Sequence, residues 1–239
     1  MRVNWNYIKV SVLILAIMGL YGFADYRGKN RKITDVVIKF LGNNDLYLTE
    51  EAVNKLLIQN YGSLKNREKE QVALNSIEVI IESNPMVKNA QVYFSVQGEL
   101  ISEIVQRRPI GRIEGTNRFY LDDEGKRMPL SKNHSARVPI ITGKITGQSL
   151  EDAYVILNYI YKDEFLRKNV IGIHIKDEGD YQLKLRVDEF VVNLGTIDNL
   201  DEKFKNFMAF YLKATKDKTL ENYAAVSLEF DNQVVCTKI

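Results

Sequence analysis

The side chains that most often do chemistry are few and scattered in this sequence. Two histidines, His134 and His174, lie far apart in different contexts, and neither has the neighbouring ligands a metal site needs. A single cysteine, Cys236, excludes an intrachain disulfide framework and any cysteine-based metal cluster. With so few such groups, a nucleophile and its base are hard to assemble. Asp122, Asp123 and Glu124 make an acidic cluster followed by Gly125. A calcium loop would need alternating oxygen ligands and a distal glutamate, and the cluster offers neither, so it reads as a hairpin turn. No GxSxG elbow, phosphate-binding loop, HExxH helix or dinucleotide fingerprint is present. The expectation is no catalytic residue, no metal and no cofactor. The scattered Asp and Glu side chains leave a carboxylate pair open as an alternative.

Composition narrows the partner class. The chain has 239 residues, with 33 Lys and Arg against 31 Asp and Glu, a net charge of +2. That is too near neutral to point to nucleic acid. The hydrophobic share of 45% and charged share of 27% are ordinary for a globular protein.

The elements that must position any site are legible as patterns. Ile33–Leu41 is a β-branched run that reads as a strand. Thr49 is a helix cap, with Glu50 and Glu51 in the first turn and Val53, Leu56 and Leu57 as the apolar stripe. A second helix is expected over Arg67–Glu82, stopped at Ser83-Asn84-Pro85. Val92, Phe94 and Val96 alternate on one strand face, Gly98 turns the chain, and Leu100–Gln106 returns. The order is β-α-α-β-β, with two helices on one face of a small sheet. Arg107-Arg108-Pro109 reads as a bend or boundary, because proline cannot continue a central ladder. Phe119–Leu121 and Val138–Gly143 are short strands. Ser149 is expected to cap a helix with Glu151 and Asp152 in its first turn and Ala153, Ile156, Leu157 and Ile160 inward. Strands follow at Val170–Ile175, Tyr181–Val187 and Phe190–Leu194. A helix from Asp198 or Asn199 turns Leu200, Phe204, Phe207 and Tyr211 inward. Ala224–Phe230 and Val234–Thr237 form a last hairpin around Asp231-Asn232-Gln233. The fold class is α+β.

Ahead of these modules lies Val10–Ala24, fifteen residues without a charge. A helix of that length covers ~22 Å, and Tyr7, Ile8 and a snorkelling Lys9 extend it toward the ~30 Å of a bilayer core. Trp5, Tyr7, Tyr21 and Tyr26 fit interfacial positions. A transmembrane anchor is the favoured reading. The rival is a secretory signal cleaved after Ala24, for which Gly22 and Ala24 give the small-x-small pattern. The flanking charges oppose the expected topology, since Arg2 and Lys9 precede the run while Arg27, Lys29, Arg31 and Lys32 follow it. Large domains translocate largely regardless of charge, so the N-terminus is read as inside and the modules as outside. The divisions are a cytoplasmic tail at 1–9, a span at 10–24, a linker at 25–32 and modules at 33–107 and 108–239.

Without a catalytic motif, the strand-rich modules offer sheet edges to partners. The terminal strand is the natural candidate, with Val226, Leu228 and Phe230 alternating and Val234 and Val235 continuing the hairpin. Whether that edge is open or covered is undecided at this point.

The order of these features resembles the bacterial cell-division family FtsQ/DivIB, in its Bacteroidetes-type form. The resemblance covers nearly the whole chain. NPMVKNAQVYFSVQGELISEIVQRRPIGRI at 84–113 is similar to the hairpin of the family's POTRA domain leading into its β domain. FYLDDEGKRMPLS at 119–131 and VPIITG at 138–143 are similar to the opening of that β domain. LDEKFKNFMAFY at 200–211 and the ending VSLEFDNQVVCTKI resemble the Bacteroidetes version. The resemblance implies a non-enzymatic scaffold of the divisome at the septum, anchored in the cytoplasmic membrane with its POTRA-like and β domains in the periplasm. It implies a small coiled-coil partner, FtsB or DivIC, together with FtsL, paired to the last strand. By position that surface falls on Phe230, Asp231, Asn232, Gln233, Val234 and Val235. A POTRA-containing outer-membrane assembly or secretion component is the alternative. It would call for a run of amphipathic barrel strands, which the helices at 149–165 and 199–213 interrupt. An exported enzyme with a hidden carboxylate site is a third class.

Overall fold

The computed structural model describes residues 5–29, 31–42, 47–177, 179–231 and 233–239, with backbone alone for 6–8 and 25–29. The chain divides into two compact units, Met1–Gln106 and Arg107–Ile239. A first helix, α1, runs unbroken over Trp5–Lys29. Its side chains from Val10 to Ala24 are all exposed, as a sequence apolar on every side demands when no core receives it. Among the described residues no helix is long and apolar enough to cross a membrane.

In the first unit β1 is Val36–Leu41, α2 Glu50–Tyr61, α3 Leu74–Glu82, β2 Val87–Phe94 and β3 Leu100–Gln106. The strand expected from Ile33 starts only at Val36. Ile33 is fully buried, and its backbone bonds instead to Arg67 O and Asn66 N at 2.9 Å each. The same pairing removes Arg67 from the helix expected there. Residues 69–71 form a 3-10 turn, with Lys69 N–H bonded to Arg31 O, and α3 begins at Leu74. Local helix propensity yields here to tertiary hydrogen bonding. The helix cap at Thr49 is as expected, its hydroxyl accepting from Ala52 N–H at 3.3 Å. Val96 does not share the strand face with Val92 and Phe94. It lies beyond β2 at 86% exposure, in a turn where Gly98 adopts φ +98°.

The sheet order is β1-β3-β2, with β1 parallel to β3 and β2 antiparallel to it. Val53 and Leu57 of α2, Ile77 and Ile81 of α3 and the strand residues Ala90, Val92, Leu100 and Ile104 make one core. Gln106 ends β3 inside that unit. Its side chain accepts from Tyr47 N–H and Leu48 N–H at 3.1 Å each and donates to Leu48 O at 3.2 Å.

The second unit contains β4 Pro109–Ile113, β5 Phe119–Asp122, β6 Arg127–Met128, β7 Ile140–Gly143, α4 Gly147–Lys162, α5 Glu164–Asn169, β8 Val170–Asp177, β9 Asp180–Leu185, β10 Val191–Gly195, α6 Leu200–Asp217, β11 Tyr223–Ser227 and β12 Val235–Lys238. They build one nine-stranded sheet, β12-β11-β10-β9-β8-β7-β4-β5-β6. Parallel neighbours need long crossovers. α4 and α5 carry the chain from β7 to β8, and α6 carries it from β10 to β11. Ala153, Ile156, Leu157 and Ile160 of α4 and Phe204 and Phe207 of α6 are buried in one core with the strands.

Several local expectations shift. The bend or boundary expected at 107–109 does coincide with the division between the units after Gln106, and Pro109 opens β4, where its missing N–H is not needed. Thr146, not Ser149, caps α4. The Thr146 hydroxyl accepts Ser149 N–H at 3.2 Å and Ser149 Oγ accepts Thr146 N–H at 2.7 Å, a reciprocal box that starts the helix one turn early. Asp152 therefore sits past the first turn, where its carboxylate accepts from Tyr181 OH at 2.7 Å. The acidic turn holds its shape through Asp122, which is fully buried. Asp122 accepts from Arg107 at 2.7 Å and from the N–H groups of Glu124 and Lys126.

Candidate partner-binding edge

The last hairpin is set in place by residues of β10 and α6. Leu228 N–H donates to Asn193 O at 2.8 Å, so the chain leaving β11 stays against β10. Gly195 has φ +67°, and a Cβ there would lie 2.8 Å from Glu229 Cγ. The glycine thus permits the close crossing of residue 229. From α6, Lys203 Nζ donates to Leu194 O at 3.0 Å and Thr196 O at 2.8 Å. Burial holds its ammonium below the usual lysine range, opposed by the charges of Asp198, Glu229 and Asp231. Phe210 of α6 meets Tyr223 of β11 edge-on at 5.4 Å between ring centroids.

β12 pairs antiparallel with β11 in the register Val235↔Ser227, Cys236↔Val226, Thr237↔Ala225 and Lys238↔Tyr223. It is the outermost strand of the sheet, so its outer peptide groups face away from any other strand of that sheet. The expected alternation Val226, Leu228, Phe230 is only half kept. Val226 and Leu228 are buried, while Phe230 stands 50% exposed. Asp231 and Gln233 are exposed, and Asn232 lies outside the described residues. Val234 packs on the core, whereas Val235 is 41% exposed. The structure thus brings Phe230, Asp231, Gln233 and Val235 to the surface of one hairpin and turns Val234 inward. Burial raises the Cys236 thiol, which disfavours the reactive thiolate.

Two contributors escape a sequence reading. Lys203 has the spacing of an ordinary helix-surface lysine, and nothing in its neighbours signals the carbonyls it reaches. Asp188 takes the Tyr211 hydroxyl at 2.7 Å from outside α6, a pairing across 23 residues with no motif.

A family model described as FtsQ/DivIB, C-terminal related, matches residues 108–237. The chain belongs to the FtsQ/DivIB family. A second model, for a POTRA-like domain, matches residues 33–105. No curated protein matches the chain significantly. FtsQ/DivIB proteins are non-enzymatic cell-division scaffolds, and membership makes this chain a cell-division protein with a mixed α+β fold.

Proposed function

We propose that the chain is a membrane-anchored, non-enzymatic scaffold of the division complex that holds an FtsB/DivIC-like coiled-coil partner, with FtsL, on the open edge of β12. The observation that carries the reading is the terminal position of β12 in the nine-stranded sheet, beside the exposed Phe230, Asp231 and Val235. A strand added there gains main-chain hydrogen bonds, and alternate side chains supply specificity. In this reading 33–107 is the POTRA-like domain and 108–239 the β domain. Val10–Ala24 is a retained anchor, supported by its exposure and by a helix backbone that extends past it on both sides. The N-terminus lies in the cytoplasm and the two domains in the periplasm at the division site. A shared membrane raises the effective concentration of both partners, so a modest interface suffices.

Val235→Pro tests the strand pairing. A correctly folded variant, checked by circular dichroism, should lose co-purification with the coiled-coil partner while remaining at the membrane. Undiminished co-purification would sink the strand-edge reading. A C-terminal phosphatase fusion should be active outside the cytoplasm, and an inactive one would reverse the topology.

A further inference from the structure

The two edges of the first unit's sheet are treated differently. Along β2, two carboxylates of α3 cover the outward peptide groups. Glu82 Oε1 accepts from Ala90 N–H at 3.0 Å, and Glu78 Oε1 accepts from Val92 N–H at 2.8 Å. Their i,i+4 spacing on α3 matches the two-residue repeat of outward N–H groups on a strand. That edge is closed from within. On β1, at the opposite end of the β1-β3-β2 order, Asp35 takes the first outward N–H, that of Val36, at 3.0 Å, but among the described residues no side chain bonds the N–H groups of Ile38 and Phe40 further along. Beside it runs an open groove of about 400 Å³ between β1 and α2, floored by Val36, Ile38, Leu57 and Ile58.

Charge says what would lie there. Asp35 at the start of β1 is matched by Lys65 at 3.2 Å. Glu50 and Glu51, at the N-terminus of α2, also line the groove and make no ion pair among the described residues. Both acids favour the α2 dipole, so they are useful to the helix without a partner. Their position on the rim of a groove with an apolar floor, beside the outer edge of a sheet, makes the same two charges a selector for cations.

We propose that the β1 edge is a second strand-accepting surface, which takes an extended segment of a partner protein with alternating apolar side chains and a lysine or arginine end beside Glu50 and Glu51. β1 has six residues, so the paired segment is about 20 Å long at ~3.3 Å per residue. Its backbone pairs with the outward N–H groups of Ile38 and Phe40, beyond the Val36 N–H that Asp35 already takes, and its apolar side chains enter between Ile38 and Ile58. The site is independent of the β12 reading, because the two edges belong to different sheets.

The test uses the full chain in detergent micelles and short synthetic peptides. One probe is two lysines followed by alternating valine and threonine. A second replaces the lysines by glutamates. A third keeps the lysines but carries N-methyl groups on alternate amides. Amide hydrogen exchange at Ile38 and Phe40, the outward positions beyond Val36, should slow at least tenfold with the first peptide and remain unchanged with the other two. The double substitution Glu50→Lys, Glu51→Lys should reverse the preference between the lysine and glutamate peptides. Equal protection by the N-methylated peptide would reject strand pairing, and needs no variant that could misfold. Equal protection by the glutamate peptide would reject the charge selection. Protection of β12 or β2 instead of β1 would overturn the site. So would concentration-dependent protection of β1 without peptide, which would assign the edge to a second copy of the chain.

Discussion

Gln106 shows how one buried amide decides local structure. Its side chain satisfies three backbone groups of Tyr47 and Leu48 across 58 to 59 residues of sequence. Gln106→Leu keeps roughly the volume but strands two buried N–H donors. The expected loss is about 3 kcal/mol, since each unsatisfied buried group costs about 1–3 kcal/mol, and urea unfolding followed by circular dichroism should show it. Two tyrosines give a pH dependence of the opposite unit. Tyr159 and Tyr211 are both pushed up to about 12, first by desolvation and then by hydrogen bonds to Asp201 and Asp188. Their folded pKa values lie above the unfolded value of about 10. Their contribution is therefore complete below pH ~10 and is lost as pH rises through ~12. Tyr211→Phe should flatten the decline in melting temperature across that window, and an unchanged slope would remove Tyr211 from the account.

At the level of elements, the edges are the informative features. Glu78 and Glu82 close β2. The pair Glu78→Ala, Glu82→Ala should free two outward N–H groups and raise association through β2, measured as a higher mass by light scattering than for the unaltered chain in the same detergent. How much was legible in the sequence follows from where each signal resides. α2 and the stripes of α4 and α6 were plain, because periodicity and caps are local. The acidic turn at 122–125 was also plain, though not the burial of Asp122, which depends on Arg107 fifteen residues away. The helix drawn from Arg67 failed because Ile33 pairs with residues 66 and 67, a long-range competition that periodicity cannot register. The terminal hairpin was visible as alternation. Its outermost place in the sheet was not, because strand order depends on two helical crossovers. Nor could alternation separate Val234, which packs on the core, from its exposed neighbour Val235.

For the molecule as a whole, the part of the first unit that runs from β1 to β3 follows α1 and precedes the second unit in the chain. Any strain transmitted along the backbone enters it before β1 and leaves it after β3. These two strands are parallel, paired from Val36↔Leu100 to Leu41↔Val105. A pull on the start of β1 and the end of β3 therefore slides one strand along the other. All the cross-strand bonds of the ladder are then stretched together, whereas a pull on matching ends would part them one after another. The parallel register makes the unit a shear-loaded coupling. In single-molecule stretching, handles at Ile33 and Arg107 should require a markedly higher rupture force than handles at Val36 and Leu100. Equal forces would mean that the β1-β3 ladder is not what resists. A division scaffold with this connectivity would stay folded under tension along the chain and would yield first to forces applied across it.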